Sequence, residues 1–449
     1  MSSMKVLFIG VGLTHYSNQI LNKLNEEPGI SIFNLVDSRG VGHVSNTVYQ
    51  TKDDVKFTVV YLPQVLRRKY SDNNYNSFIG FSEKLSELRP DIIVVAEIYF
   101  KMFLVEPDLI SKISELGIKI IMKDIPFLMD TLEETKRKIL SGESDSAYVP
   151  FFAPYFLVLC DRLKIGKFPT LIGKVMNKIG LIHFYRKFIG RKILLKRLEI
   201  KKQAFNSAHA HVDYVEEAYR LFGSFGVPRE KIFIIYNSPD TDQLFKIREK
   251  IEKEPLPISY SPHRLIHVGR LVPWKRVDML IRAFFEIRQE FKNAELLIIG
   301  FGPIEDELKN LAKELNLGES VKFLGGVYKP EDLGRYMMSS SIYVLAGMGG
   351  LSINDAMAFG MPIICSVCDG TEKKLVYDGK NGLYFKDGDQ NDLTLKIRFL
   401  LRNSELMKKM GQNSTDIIKN DINIHTVIKG YLEAFNYVLK LPQKKYEKI

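Results

Sequence analysis

The amino-acid sequence predicts an α/β protein with two domains, each built on a doubly wound parallel sheet. The chain has 449 residues, which is more than one hydrophobic core usually holds. Apolar runs such as PDIIVVAEIYF (90–100) and SIYVLAG (341–347) alternate with helical segments, a pattern typical of parallel strands joined by crossover helices. EKEPLPISYSPH (252–263) is rich in proline and serine and separates two such series. We therefore expect a linker there between two domains.

The composition is that of a soluble globular protein, with 45% hydrophobic and 26% charged residues. The start, MSSMKVLFIGVG, lacks the charged and apolar regions of a signal peptide, and no apolar run approaches the roughly 20 residues of a membrane-spanning helix. Three cysteines favour a reducing compartment over a disulfide scaffold: Cys160, Cys365 and Cys368. The last two form a CxxC without a second pair, so we interpret them as packing residues. The sequence thus predicts a cytoplasmic protein.

The net charge of +11 arises mainly from one segment. Residues 161–202 contain 13 lysines and arginines against Asp161 and Glu199. On a helix, the aromatic and aliphatic residues near 182–189 share one side, and cations flank it, as in helices that lie on an anionic membrane. A domain-packing helix with a solvated basic face is the alternative. Nucleic acid is not a predicted partner, because no nucleic-acid-binding module accompanies the charge.

The first series begins with a strand, a glycine turn and an amphipathic helix at 4–26. Gly10 and Gly12 start a GxG, but His15 stands where GxGxxG needs its third glycine. Asp37 weakly supplies the acidic residue of a nicotinamide-dinucleotide site, so a dehydrogenase is one interpretation. The other is that the two glycines let the backbone approach a phosphate.

Later segments of this series predict a cleft at the carboxyl ends of the strands. Strands are predicted at 55–62, 90–100, 118–127 and 231–236, and helices near 75–88 and 106–116. Glu97, Lys123 and Asp124 fall at strand ends, where they are candidate site residues or simply solvated loop residues.

The second series is more regular. It predicts strands at 264–270, 294–300, 321–325, 341–347 and 362–366, a last short edge element at 382–389, and a final helix at 425–441.

A glycine turn in GMGGLSINDAMAFGMPIICS (347–366) follows one of these strands and precedes a helix. Free backbone N–H groups and the positive end of a helix dipole favour an anion at such a place. Asp355 follows Gly350 by five residues, within reach of a sugar hydroxyl. An ordinary strand–loop–helix without a ligand is the alternative.

GRLVPWKR (269–276) brings two cations to a neighbouring strand end. Arg270 and Lys275 stand five residues apart around a turn, so both can face one anion. Arginine offers donors in a fixed geometry and lysine a point charge, a combination that suits a diphosphate.

These motifs resemble those of the retaining glycosyltransferases of family 4, the "glycosyl transferases group 1". The resemblance rests on GRLVPWKRVDMLIRAF, IIGFGP, VKFLGGV, GGLSINDAMAFGMPIICS and the element YNSPDTDQLF, and it is strong over about 231–390. It implies the GT-B fold, two Rossmann-like domains facing across a cleft. The domains would then be 1–250 for the acceptor, with a basic insertion at about 148–202, and 264–423 for the nucleotide sugar. The linker is 251–263, and the helix of 424–449 is expected to pack back on the first domain.

The resemblance also implies roles for particular residues. Arg270 and Lys275 would be catalytic, binding the donor diphosphate and stabilising the leaving group without a metal. The donor would be held by Gly10, Gly12, Gly269, Gly326, Val327, Tyr328, Met348, Gly349, Gly350, Leu351 and Asp355.

The sequence departs from the family at two places. Of the two family glutamates, eight positions apart, the first falls on Gly347 and the second on Asp355. The family's frequent histidine after the fifth strand is replaced by Lys123.

The predicted function is transfer of a sugar from a UDP- or GDP-sugar, with retention of configuration and no cofactor. The acceptor is expected to be a lipid-linked or polysaccharide precursor at the inner membrane face, to which the protein attaches through 161–202. A non-catalytic GT-B scaffold and another nucleotide-sugar enzyme of this fold, such as an epimerase, are the alternatives.

Overall fold

The computed structural model describes residues 3–38, 54–68, 74–124, 129–142, 191–256, 258–368 and 370–442. Most of the basic amphipathic segment, including residues 161–190, lies outside the described residues, as does Cys160. None of the described helices combines the length and apolar character that crossing a membrane requires.

The first part of the chain forms a seven-stranded, wholly parallel sheet in the order β3-β2-β1-β6-β7-β8-β9. A separate antiparallel hairpin joins β4 to β5. The strands are β1 (Met4–Ile9), β2 (Ile30–Asp37), β3 (Thr58–Leu62), β4 (Gln64–Arg68), β5 (Asn74–Phe78), β6 (Ile92–Ala96), β7 (Lys119–Asp124), β8 (Ala210–Asp213) and β9 (Ile232–Ile234). The helices are α1 (His15–Glu26), α2 (Phe81–Leu88), α3 (Glu97–Phe100), α4 (Met102–Val105), α5 (Pro107–Leu116), α6 (Leu132–Ser141), α7 (Arg191–Ser207), α8 (Glu217–Ser224) and α9 (Thr241–Ile251).

The second sheet has six parallel strands in the order β12-β11-β10-β13-β14-β15. Its strands are β10 (Arg264–Val268), β11 (Glu295–Ile299), β12 (Val321–Phe323), β13 (Ile342–Leu345), β14 (Ile363–Cys365) and β15 (Gly382–Tyr384). Its helices are α10 (Val277–Glu290), α11 (Glu305–Glu314), α12 (Pro330–Met338), α13 (Ser352–Ala358), α14 (Gln390–Leu401) and α15 (Ser404–Asn420). The predicted α/β class with two doubly wound sheets is confirmed.

The central strands are largely apolar because helices cover both faces of each sheet. All four residues of β13 are buried, as are the last four of β1. Each sheet has its own core on either side, so the fully buried strands position whatever follows their carboxyl ends.

The last helix, α16 (Ile424–Lys440), packs on the first sheet rather than the second. Tyr431 meets Phe8 of β1 edge to face, with ring centroids 5.7 Å apart. The chain after the helix is fixed by Lys119 at the start of β7, whose ammonium donates to the carbonyls of Leu441 and Pro442 at 2.9 and 2.8 Å.

The structure differs from the sequence prediction at 75–88 and at 90–100. The segment predicted as one helix forms strand β5 first and becomes helical only at Phe81. Tyr75 and Phe78 are buried in the core from that hairpin, and this packing outweighs local helix propensity. The apolar run at 90–100 ends as a strand at Ala96 and turns at once into α3.

Candidate active site

A cleft of about 800 Å³ lies at the carboxyl ends of both sheets. One wall follows β1, β6 and β7, and the other follows β10, β11 and β13. In each sheet the strand order reverses beside these strands, which is where ligands bind in doubly wound folds. Most of the predicted site residues line this cleft: Gly10, Gly269, Arg270, Lys275, Gly326, Val327, Tyr328, Met348, Gly349, Gly350 and Leu351.

Two predicted residues do not line it. Gly12 lies behind the wall, where its carbonyl accepts a hydrogen bond of 2.7 Å from Asn34 Nδ2. Asp355 lies on the short helix α13, behind Ser352 and Asn354, which do face the cleft.

The two predicted cations occupy different positions. Arg270 lines the cleft with its guanidinium 5.8 Å from the centre of the Trp274 ring. Lys275 is only 7% exposed, and its ammonium donates to the carbonyls of Met348 and Gly349 at 2.7 and 2.5 Å. Lys275 therefore holds the glycine turn as well as lining the cleft.

Gly347 packs directly against the chain that carries Lys275. A Cβ atom at this position would overlap the Trp274 carbonyl and lie 2.8 Å from the Lys275 Cα. The next residue, Met348, donates its N–H to the Trp274 carbonyl at 3.0 Å. A glutamate at 347, as in the family pattern, is incompatible with this close contact between the turn and the 3-10 helix Pro273–Lys275.

Burial raises the pKa of Asp355 to about 7, so this carboxyl group titrates near neutrality. The hydroxyl of Tyr343, in the strand before the turn, donates to Ser352 Oγ at 2.7 Å. Tyr343, in the preceding strand, and Asp355, on α13 itself, thus both lie behind the cleft-facing residues of α13.

A buried histidine that sequence reasoning missed lies under the same wall. His267 of β10 donates Nδ1–H to the Val344 carbonyl at 3.0 Å, and no described residue pairs with its Nε2. Burial lowers its pKa to about 4, so the ring is neutral. It supports Gly269, where a Cβ atom would lie 3.3 Å from His267 Nε2.

The predicted base site has an aromatic wall. The Tyr328 ring packs over Gly326 so closely that a Cβ atom on Gly326 would lie 2.8 Å from the Tyr328 hydroxyl oxygen. Phe301 lies nearby, with its ring centroid 6.4 Å from that of Tyr328. Tyr328 is 49% exposed and lines the cleft, where an aromatic ring can stack on a planar ligand.

On the wall formed by the first sheet, more side chains line the cleft than the sequence analysis predicted. Lys123 and Glu97, both singled out at strand ends, line the cleft. Residues that sequence reasoning missed also line it, among them Tyr16, Ser17, Tyr214, Tyr236, Asn237 and Ile422. Tyr16 and Ser17 follow the first glycine turn, and that position was the only sequence signal for them.

The described residues contain no group of three or more His, Cys, Asp or Glu side chains arranged to hold a metal ion. Cys365 is buried in β14, and Cys368 Sγ lies 2.9 Å from Ser366 Oγ. Burial raises the pKa of the Cys368 thiol to about 11, which disfavours the thiolate that metals and electrophiles require.

Comparison with known proteins finds sequence similarity to glycosyltransferases. Residues 248–417 match the family model "Glycosyl transferases group 1". An uncharacterised glycosyltransferase of Methanocaldococcus jannaschii is 24% identical over 407 residues, covering 88% of this chain and 93% of that protein. A poly(ribitol-phosphate) alpha-N-acetylglucosaminyltransferase of Staphylococcus aureus is 24% identical over 62% of this chain and 55% of its own length.

The name of a third relative specifies a lipid-linked acceptor. The N-acetylgalactosamine-N,N'-diacetylbacillosaminyl-diphospho-undecaprenol 4-alpha-N-acetylgalactosaminyltransferase of Campylobacter jejuni is 28% identical over 42% of this chain. The chain spans about half the length of these last two relatives.

Solved structures show the same fold. Anabaena HepE in complex with UDP superposes with a TM-score of 0.61 at 15% identity, over 96% of this chain and all of that one. The two sheets and the cleft between them are therefore the GT-B architecture. Residues 248–417 thus match the glycosyl transferases group 1, and the relatives with which the chain shares sequence are glycosyltransferases.

Proposed function

We propose that this protein transfers a hexose-type sugar from a UDP- or GDP-sugar to an acceptor hydroxyl, with retention of configuration and without a metal. The observation that carries the proposal is that Arg270 and the turn residues Met348, Gly349 and Gly350 line the same wall of the cleft. Both offer donors to an anion, and a diphosphate is the anion of matching size. Anabaena HepE, which shares the fold, was solved with UDP.

Bond breaking at the donor leaves negative charge on the diphosphate. Arg270 stabilises that charge directly, and Lys275 holds the glycine turn beside it through the carbonyls of Met348 and Gly349. A departing phosphate oxygen then accepts the proton of the acceptor hydroxyl, which bonds to the anomeric carbon on the same face. This route places attack and departure on one face and needs no side-chain nucleophile.

The acceptor is proposed to be a lipid-linked or polysaccharide precursor at the cytoplasmic face of a membrane. The relatives named above act on poly(ribitol-phosphate) and on a diphospho-undecaprenol acceptor. The basic segment 161–202 supplies attraction to anionic lipid. Its described end, α7, exposes Lys192 and Lys196.

A thermal-shift panel tests the donor part of the proposal. UDP, GDP and their common sugar conjugates are added to the wild type and to Arg270→Ala. A ligand that binds only the folded state raises the melting temperature, so one nucleotide class is expected to raise it in the wild type but not in the variant. A folded wild type that responds to no nucleotide would favour the non-catalytic scaffold, which is suggested by the missing side chain at Gly347.

Flotation with liposomes tests the membrane part. Vesicles containing anionic phosphatidylglycerol are expected to carry the protein at low salt, and neutral phosphatidylcholine vesicles are not. Binding that is equal on both, or that survives the combined change Lys192→Glu and Lys196→Glu without loss, would contradict attachment through this segment.

A further inference from the structure

Lys123 is a cleft residue that the proposed diphosphate chemistry does not use. It is the fifth residue of β7, paired in register with Ala96, and its side chain lines the wall opposite Arg270. The Lys123 ammonium lies 5.3 Å from the centre of the Tyr214 ring. It therefore presents a cation to the cleft from the first sheet.

The described side chains around Lys123 do not neutralise the positive charge of its ammonium group. The groups that act most strongly on its ammonium, apart from burial itself, are the hydroxyls of Tyr214 and Tyr431 rather than carboxylates. Glu97, at the end of the neighbouring strand, is engaged by Lys201, with Nζ and Oε1 3.3 Å apart. Among the described side chains no carboxylate forms an ion pair with Lys123.

An ammonium that lines a cleft without a carboxylate partner is placed to take its counter-charge from a ligand. Burial alone lowers the pKa of Lys123, whereas the phenol oxygens raise it, and the net direction is upward. The site thus keeps a charged ammonium at a place that opens onto the cleft. The nearby phenol of Tyr214 adds a hydrogen-bond donor of the kind that an oxyanion accepts.

We propose that Lys123 determines substrate specificity by binding an anionic group, a carboxylate or a phosphate, on the sugar end of a substrate. The inference rests on the proposed function, because the same cleft holds the nucleotide at its opposite wall. The anion has two sources: a carboxylate at C6 of the donor sugar, or a phosphate on the acceptor.

Paired ligands that differ only in this charge distinguish the sources. In the donor arm, calorimetry compares UDP-glucuronic acid with UDP-glucose on the wild type, Lys123→Met and Lys123→Arg. In the acceptor arm, the UDP-saturated protein is titrated with N-acetylglucosamine 1-phosphate and with the methyl glycoside of the same sugar. Lys136→Met is the matched control, because Lys136 lies on the exposed side of α6, paired with Glu133.

In either the donor arm or the acceptor arm, the anionic ligand is expected to bind the wild type at least tenfold more tightly than its neutral partner. Lys123→Met removes that preference, Lys123→Arg keeps most of it, and Lys136→Met leaves it unchanged. Affinity for UDP itself stays within about twofold in all variants, which shows that they are folded and that the diphosphate wall is intact.

Equal binding of charged and neutral ligands in both arms, with UDP still bound, overturns the role of Lys123 and leaves the proposed function standing. A preference for the anion that persists in Lys123→Met also overturns it. Failure of UDP and every sugar nucleotide to bind overturns the proposed function, and this inference with it.

Discussion

Gly347 is the residue at which this chain departs most from the glutamate pattern of the family it resembles. The surrounding chain leaves no room for a side chain at this position, because the backbone of Trp274 and Lys275 occupies the space that a Cβ atom would need. Lys275 then donates to the carbonyls of the turn instead of reaching freely into the cleft. The glycine and the lysine act as one unit that shapes the turn.

Replacing Gly347 with alanine is expected to weaken donor binding. The added methyl group forces the turn away from Pro273–Lys275 and disturbs the Met348 N–H bond to Trp274. Overpacking of this kind costs about 1–3 kcal/mol, so if the strain is relieved by displacing the turn, calorimetry is expected to show a loss of nucleotide affinity between about fivefold and about 140-fold. Gly223→Ala is the control, since a Cβ atom there meets no atom within 4 Å. Unchanged affinity in Gly347→Ala would show that the turn does not shape the site.

Asp355 is expected to make stability depend on pH. Its pKa is raised by burial to about 7 from an ordinary value near 4, so the folded protein holds a proton that the unfolded chain has released. The stabilisation from this protonation is present below about pH 4 and is lost as the pH rises towards 7, by up to about 1.4 kcal/mol per pH unit.

Denaturant unfolding from pH 5 to pH 8, on the wild type and Asp355→Asn, measures this loss. The difference in unfolding free energy between them is expected to shift in favour of the variant as the pH rises, and to level off above about pH 7.5. Parallel pH profiles would contradict a raised pKa of Asp355 in the folded protein.

At the scale of elements, the sequence located the strands well because their apolar runs are long and the two sheets bury them on both faces. β10 to β14 each fall within predicted segments, and β15 is the predicted edge element. The hairpin of β4 and β5 was missed because its stability comes from burying Tyr75 and Phe78 in the core, which local propensity does not show.

The site was predictable where it depends on backbone turns that carry their own sequence signature. Arg270, Gly349 and Gly350, which the spacing singled out, line the cleft, and their binding role stays a prediction. The burial of Lys275, the neutral His267 beneath it and the contribution of Tyr214 depend on packing between distant segments, which spacing does not report.

At the scale of the molecule, charged pairs join the two halves across the mouth of the cleft. Lys373 and Lys374, after β14, pair with Glu217 and Glu216 at the start of α8. Within the first half, the Tyr236 hydroxyl donates to Glu216 at 3.1 Å. The two lysine–glutamate pairs connect the two halves beside Thr371, which lines the cleft.

Reversing the two lysines to glutamate is expected to open the cleft and weaken donor binding by a few-fold. The pairs are largely exposed, so each contributes at most about 1 kcal/mol and less at high salt. Small-angle scattering is expected to show a larger radius of gyration for the double variant. Exchanging the charges on both sides, with Glu216 and Glu217 changed to lysine as well, is expected to restore both properties; no rescue would mean that the pairs do not hold the cleft.

The measurement that tests the central claim most directly is calorimetric comparison of a nucleoside diphosphate with its monophosphate in the presence of EDTA. The pair is UDP and UMP, or GDP and GMP, according to the class that stabilises the protein. The diphosphate is expected to bind the wild type at least tenfold more tightly, to lose that advantage in Arg270→Ala, and to keep it in Arg282→Ala, whose side chain is exposed on α10. Equal affinity for the two nucleotides, or an advantage that EDTA abolishes, would contradict a metal-independent diphosphate site built on Arg270 and the glycine turn.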